Sequence, residues 1–104
     1  MGDIVPLNAR HPLVGTWRDK DHEWGSTLQF VVSAAGSGFQ VRGMDTHDGE
    51  ELEISSVQWD GRALRFLCLV RSTGRRIEYE LRAVSESEAS LQMTFADTWV
   101  KADD

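Results

Sequence analysis

The feature that most constrains this chain is an alternation of apolar and polar residues with a period of two. In the segment Arg76–Ala83, for example, Ile77, Tyr79 and Leu81 alternate with charged residues. This period is typical of β-strands with one buried face, and no window sustains the 3.6-residue period of an amphipathic helix. The alternation therefore predicts an all-β protein.

Turn sequences divide the alternation into about eight short strands, the last around Thr98–Lys101. Asp60-Gly61 is typical of a two-residue hairpin turn with positive φ. Short connections favour antiparallel neighbours, and closure hides the apolar face and removes both free edges. We therefore predict an up-and-down meander of about eight antiparallel strands closed into a small barrel, with a two-sheet sandwich as the alternative.

One strand changes its parity, and this predicts an irregularity. Leu52 and Ile54 alternate on one parity, whereas Val57 and Trp59 alternate on the other. A β-bulge inserts one residue and bends the strand. A bulge near Ser55-Ser56 would therefore return all four side chains to the same face.

Length and charge limit the classes of protein to which the chain can belong. Its 104 residues predict one domain, here an N-terminal arm (1–12) followed by a barrel (13–104). The net charge of −6 disfavours binding to nucleic acid, and no apolar run approaches the roughly 20 residues of a membrane span. Cys68 is the one cysteine, so no intrachain disulfide is possible, and we expect a cytoplasmic protein without cofactors.

Three short motifs carry a resemblance to a known superfamily. The first strand begins Gly15-Thr16-Trp17, a Gly-Ser pair (25–26) precedes the second strand, and Asp97-Thr98-Trp99 begins the last. This arrangement resembles the calycin superfamily, which includes the lipocalins and the avidin–streptavidin proteins. The resemblance implies a ligand-binding barrel whose first tryptophan, here Trp17, closes one end.

The avidin pattern implies biotin binding, but only two of its five polar positions match. Ser26 and Asp97 fall where that pattern places a serine and an aspartate, whereas Asp19, Asp45 and His47 replace the other polar groups. Acidic side chains cannot donate the hydrogen bonds that the biotin carbonyl needs. We therefore expect a different ligand.

The candidate site combines two polar anchors with aromatic walls around a small, partly apolar ligand. Burial and a few hydrogen bonds would hold such a ligand without a covalent step. The anchors are Ser26 and Asp97, and the walls are Trp24, Phe39, Trp59, Phe66 and Tyr79.

No residue pattern assigns catalysis or a metal site. His11, His22 and His47 lack the spacing of metal ligands, so we interpret them as solvated loop residues. Cys68 lies among apolar strand residues and is interpreted as an inert core thiol. A small-barrel enzyme that uses His47 with Asp45 or Asp48 stays open as an alternative.

The strand Leu64–Val70 is apolar on both faces. If Leu64 and Phe66 point inward, Leu67 and Leu69 point outward. Strands of this kind are usually covered on both faces. We therefore predict that the N-terminal arm or, preferably, a second subunit covers these leucines in a homodimer or larger assembly. The rival to ligand binding is a packed barrel that acts only through this outer face.

Overall fold

The computed structural model describes residues 11–21, 26–96 and 100–102. These residues contain seven antiparallel strands and no helix, and hence none that could cross a membrane. The strands pair in chain order, so the fold is an up-and-down meander forming an open half-barrel. The strands are β1 (Gly15–Arg18), β2 (Leu28–Ala35), β3 (Gly38–Asp45), β4 (Glu51–Trp59), β5 (Leu64–Val70), β6 (Arg75–Ala83) and β7 (Ala89–Ala96).

The predicted alternation places apolar side chains on the inner face of the sheet. On β5, for instance, Leu64, Phe66 and Cys68 are buried while Leu67 is exposed. The hairpin registers carry this parity from one strand to the next, because opposite residues of an antiparallel pair share a face. The buried core comprises Leu13, Phe30, Val32, Phe39, Val41, Leu52, Leu64, Phe66, Cys68, Val70, Ile77, Tyr79 and Leu81.

The sheet curves strongly enough for β2 to pack against β5 and β6. The ring centroids of Phe30 and Phe66 are 5.1 Å apart, and those of Phe30 and Tyr79 are 4.8 Å apart. In a flat sheet, three strand spacings of about 4.8 Å would separate β2 from β5 by roughly 14 Å. The aromatic contact across the interior therefore defines the half-barrel.

The irregularity in β4 confirms the predicted bulge. The pairing of β4 with β5 shifts register between Ser55 and Gln58, and Ser56 has a φ of 53°. A positive φ is uncommon for a residue with a side chain and marks the extra residue. Beyond the bulge, Val57 and Trp59 return to the inner face and pack against the core.

The β4–β5 turn differs from the predicted one. Its centre is Gly61-Arg62, closed by a 3.4 Å hydrogen bond from the Asp60 amide to the Ala63 carbonyl, and only Gly61 has positive φ. The Asp60 carboxylate accepts hydrogen bonds from the Arg62 and Ala63 amides, both at 2.8 Å. Asp60 thus stabilises the turn through its side chain, and the predicted Asp60-Gly61 centre is wrong.

The described strands form an open sheet and do not close into a barrel. The sheet order ends at β1 and β7, and these two strands do not pair. Of the predicted eighth strand, Thr98 and Trp99 lie outside the described residues, and Val100 and Lys101 are in no strand. The first ten residues of the predicted N-terminal arm also lie outside the described part of the chain.

Candidate functional site

The apolar inner face continues onto β7, where it is exposed. Ile77, Tyr79 and Leu81 on β6 pair directly with Phe95, Met93 and Leu91 on β7. The three β6 residues are buried, whereas Phe95, Met93 and Leu91 are 52%, 42% and 47% exposed. We call these three β7 residues the inner strip. An exposed apolar strip beside a buried core is the kind of surface that binds an apolar partner or ligand.

Tyr79 forms the floor of the site beside the inner strip. Its side chain is 2% exposed, and its ring stacks on Phe66 with centroids 5.3 Å apart. Its hydroxyl has no hydrogen-bond partner among the described residues, yet no fully buried side-chain polar atom there lacks a partner. The hydroxyl therefore retains contact with solvent. Burial raises the pKa of Tyr79, so the hydroxyl is a neutral donor at physiological pH.

Arg75 lies at one end of the inner strip. Its guanidinium carbon is 5.8 Å from the centre of the Phe95 ring, within the range of a cation–π contact. None of the ion pairs between described residues involves Arg75. The candidate site therefore combines the apolar inner strip with the neutral Tyr79 hydroxyl and the Arg75 cation on β6.

The predicted wall residues fall into two separate clusters. Phe66 and Tyr79 pack with Phe30 in the middle of the sheet. Phe39 and Trp59 pack edge to face, with centroids 5.0 Å apart, where β4 ends. We call this end of the sheet the Trp59 end, and the opposite end, where β3 finishes, the Asp45 end.

His11 completes the cluster at the Trp59 end and is not a solvated loop residue. Its ring lies 5.1 Å from Phe39 and 5.2 Å from Trp59, and its Nδ1 accepts a 3.1 Å hydrogen bond from the Leu13 amide. The described pairing of β3 with β4 is confined to Gly43 and Met44 at the Asp45 end, so the two strands are unpaired toward the Trp59 end. The three rings therefore fill the space where β3 and β4 diverge.

The predicted polar anchors are not brought to the aromatic clusters. Ser26 lies at the Asp45 end, where its amide donates to the Asp19 carboxylate at 3.1 Å and its hydroxyl accepts from the Leu28 amide at 3.1 Å. These bonds shape the start of β2. Asp97 and Trp24, the other predicted anchor and wall residue, lie outside the described residues.

The loop that carries His47 is held together by Asp45. The Asp45 carboxylate accepts hydrogen bonds from the His47 amide at 2.9 Å and the Thr27 hydroxyl at 2.7 Å. These two bonds, the first foremost, lower the pKa of Asp45. Because Asp45 binds the backbone of His47, these contacts serve the turn. No group of three or more metal-ligating side chains occurs among the residues that the structure describes.

Cys68 is the buried thiol that the sequence predicts. Burial, and secondarily the charge of Glu50, raises its pKa to about 11. A thiol is nucleophilic only as the thiolate, and very little thiolate exists at pH 7 with such a pKa. The structure thus confirms that Cys68 is a core residue, and its inertness stays a prediction.

The outer face presents the two predicted interface leucines. Leu67 is 41% exposed and pairs with Ser55 and Glu78 on the neighbouring strands. Leu69 is only half-buried and points to the same side. Their outward orientation agrees with the alternation of β5.

Sequence reasoning missed the exposure of the inner strip. Leu91, Met93 and Phe95 show the same alternation as the buried residues of β6. A periodic pattern identifies which side chains share a face, and not whether anything packs on that face. The available signal was composition: Ala89–Ala96 contains no charged residue.

Comparisons with known proteins identify no relative. No protein-family model matches the chain, and neither the curated proteins nor the solved structures provide a match.

Proposed function

We propose that the inner face of the half-barrel binds a small, partly apolar molecule without chemical conversion. The observation that carries this proposal is the inner strip, which exposes three large apolar side chains directly beside the buried core. The Tyr79 hydroxyl adds one unused hydrogen-bonding group at its floor. Binding sites for small molecules combine such apolar walls with a few polar groups that fix orientation.

The expected kinship with calycin barrels stays part of this proposal. An eighth strand around Thr98–Lys101, placed between β7 and β1, would close the sheet into a barrel. A barrel of eight strands is wide enough to hold one small ligand. In such a closed form Ser26, Asp97 and Trp24 would line the Asp45 end.

The test uses native mass spectrometry and intrinsic tryptophan fluorescence against a panel of small amphipathic metabolites. Tyr79→Phe keeps the ring and removes the hydroxyl, which has no partner among the described residues, so we expect little change in stability. Loss of one hydrogen bond to the ligand should weaken binding by roughly two- to tenfold. Leu67→Ser, on the outer face, serves as the control and should bind normally.

Two results would contradict the proposal. The first is a panel without any binder. The second is a binder whose affinity falls with Leu67→Ser and not with Tyr79→Phe, because that pattern would place the ligand on the outer face.

A second function is favoured by the outer leucines. Leu67 and Leu69 form an apolar patch on a strand whose inner face is fully used by the core. In this alternative the protein is an assembly module that works through the patch and takes no ligand. The double substitution Leu67→Ser with Leu69→Ser should then dissociate the assembly, whereas ligand binding on the inner face would survive it.

A further inference from the structure

Within the described part of the chain, strand β7 is a sheet edge. It pairs with β6 on one side, and no described residue pairs with its other side. Natural proteins protect exposed edges with charged residues, proline or shortness. The eight residues of β7 contain neither charge nor proline. The opposite edge, β1, has four residues and includes Arg18.

We propose that the open half-barrel dimerises through this edge: β7 pairs with β7 of a second copy of this chain, antiparallel and across a two-fold axis at Met93. The second β7 then takes the place that an eighth strand would occupy in a closed barrel. Opposite residues of an antiparallel pair lie on the same face of the sheet. With Met93 on the axis, Leu91 of each copy lies opposite Phe95 of the other. The two inner strips then lie side by side and contact each other on one continuous inner face, which stays open to a ligand.

The register follows from the size of the side chains. An axis at Gln92 or Thr94 would also keep the inner faces on one side, but it would set one large residue of the strip against Ala89 or beyond the end of β7. Only the axis at Met93 pairs all three large apolar residues with each other. This register therefore brings the most exposed apolar side chains into contact with one another.

Electrostatic repulsion between two copies is weakest at β7. Each chain carries a net charge of −6, so two copies repel one another over most of their surfaces. Strand β7 is uncharged, and Glu88 precedes it while Arg76 pairs with its last residue. The antiparallel arrangement brings Glu88 of each copy toward the end of β7 where Arg75 and Arg76 of the other lie. Asp97 follows β7 in the sequence at this end, so two cations stand there against one acid of the same copy.

The chain's own remaining segments fit this edge less well. Val100 is 88% exposed, and residues 100–102 form no strand. A strand formed by residues 1–10 between β1 and β7 would place Pro6 in a central position, where it cannot donate a ladder hydrogen bond. A second β7 has neither defect.

Cross-linking of cysteine variants tests both the partner and the register. In Met93→Cys the two thiols face each other on the axis, at a Cα separation of about 4.5–5.5 Å that a disulfide spans. In Gln92→Cys the same residues are diagonal, at about 8 Å, which a disulfide does not span. Leu67→Cys, equally exposed on the outer face, is the second control. Cys68 is buried in all three variants.

Under mild oxidation without ligand, Met93→Cys should form a covalent dimer about tenfold or more faster than either control. A mixture of Leu91→Cys and Phe95→Cys should form the mixed dimer in preference to either homodimer. Faster cross-linking through Leu67, or equal rates for all three variants, would overturn the proposal. So would sedimentation showing the unmodified protein to be a monomer at high micromolar concentration.

A charge substitution gives an independent measurement. Met93→Lys places two ammonium groups face to face on the axis and should raise the dimer Kd by about a hundredfold. Because Met93 is already partly exposed, circular dichroism should show an unchanged fold. A dimer that withstands Met93→Lys and dissociates with Leu67→Lys would contradict the β7 interface and place contact on the outer face.

Discussion

Strands β6 and β7 have the same apolar alternation, but the apolar side chains of β6 are buried and those of β7 are exposed. Tyr79 on β6 and Met93 on β7 are directly paired and lie on the same face, yet one is 2% exposed and the other 42%. The difference comes from across the sheet, because Phe30 on β2 packs against Tyr79, whereas Met93 lies on the edge strand of the described sheet. Alternation therefore defines a face, while curvature decides how much of that face is covered.

The largest expected difference between the two regions is the cost of removing an aromatic ring. Phe66→Ala empties a site enclosed by Phe30 and Tyr79 and should lower the free energy of unfolding by about 3–5 kcal/mol. Phe95→Ala removes a half-exposed ring and should cost about 1 kcal/mol or less. Urea denaturation at low protein concentration measures both. A cost for Phe95→Ala that equals that of Phe66→Ala would show that β7 is covered even in the monomer.

A smaller effect is expected from adding one methyl group to the covered region. A Cβ at Gly43 would lie 3.0 Å from the Phe30 ring and 3.1 Å from Leu52, so Gly43→Ala should destabilise the protein by about 1–3 kcal/mol. Gly38→Ala on the same strand is the matched control, because a Cβ there meets nothing within 4 Å. Thermal unfolding of the two variants compares them. Equal stabilities would indicate that the covered region is less tightly packed than the contacts show.

Acidification, which acts through Asp45 at the β3–β4 loop, should lower the stability of the protein less than these core substitutions do. The folded state lowers the pKa of Asp45 below its ordinary value of 3.8, so the unfolded state binds this proton more readily. The stabilisation is therefore complete above pH 3.8 and is lost as the pH falls through the lower folded pKa. Asp45→Asn should reduce stability at neutral pH and flatten its decline below pH 3.8. An unchanged acid profile in chemical denaturation would show that Asp45 contributes no stabilisation.

The smallest effect is expected on the outer face. Leu67 is already 41% exposed, so Leu67→Ser should change the free energy of unfolding by no more than about 0.5 kcal/mol. Denaturation at two protein concentrations is the appropriate measurement. A larger loss that grows with concentration would show that Leu67 is buried in an assembly.

The sequence predicts the parts of this fold that depend on local pattern. The all-β class, the meander order, the buried position of Cys68 and the bulge near Ser56 all follow from alternation and turn residues, and the structure confirms them. The sequence misplaced the centre of the β4–β5 turn by one residue. The Asp60 carboxylate accepts hydrogen bonds from the Arg62 and Ala63 amides, and these bonds outweigh the Asp-Gly preference for the two central positions.

The candidate site was less predictable, because it depends on contacts between distant strands. The sequence correctly identified Phe39, Trp59, Phe66 and Tyr79 as inner-face aromatics, but their division into two clusters follows from where β3 and β4 diverge. His11 precedes the first strand, and nothing local indicates that its ring packs between Phe39 and Trp59.

The bulge at Ser56 also determines which single-residue deletions β4 can accept without changing which side chains face inward. As the extra residue of the bulge, it can be deleted without reversing the side-chain parity, since Leu52, Ile54, Val57 and Trp59 would then alternate regularly. Deletion of a neighbouring residue that leaves the bulge in place would move every side chain in the rest of the strand to the opposite face. Without Ser56 the strand would lose the bend that a bulge imposes, and β4 would run straighter toward Trp59.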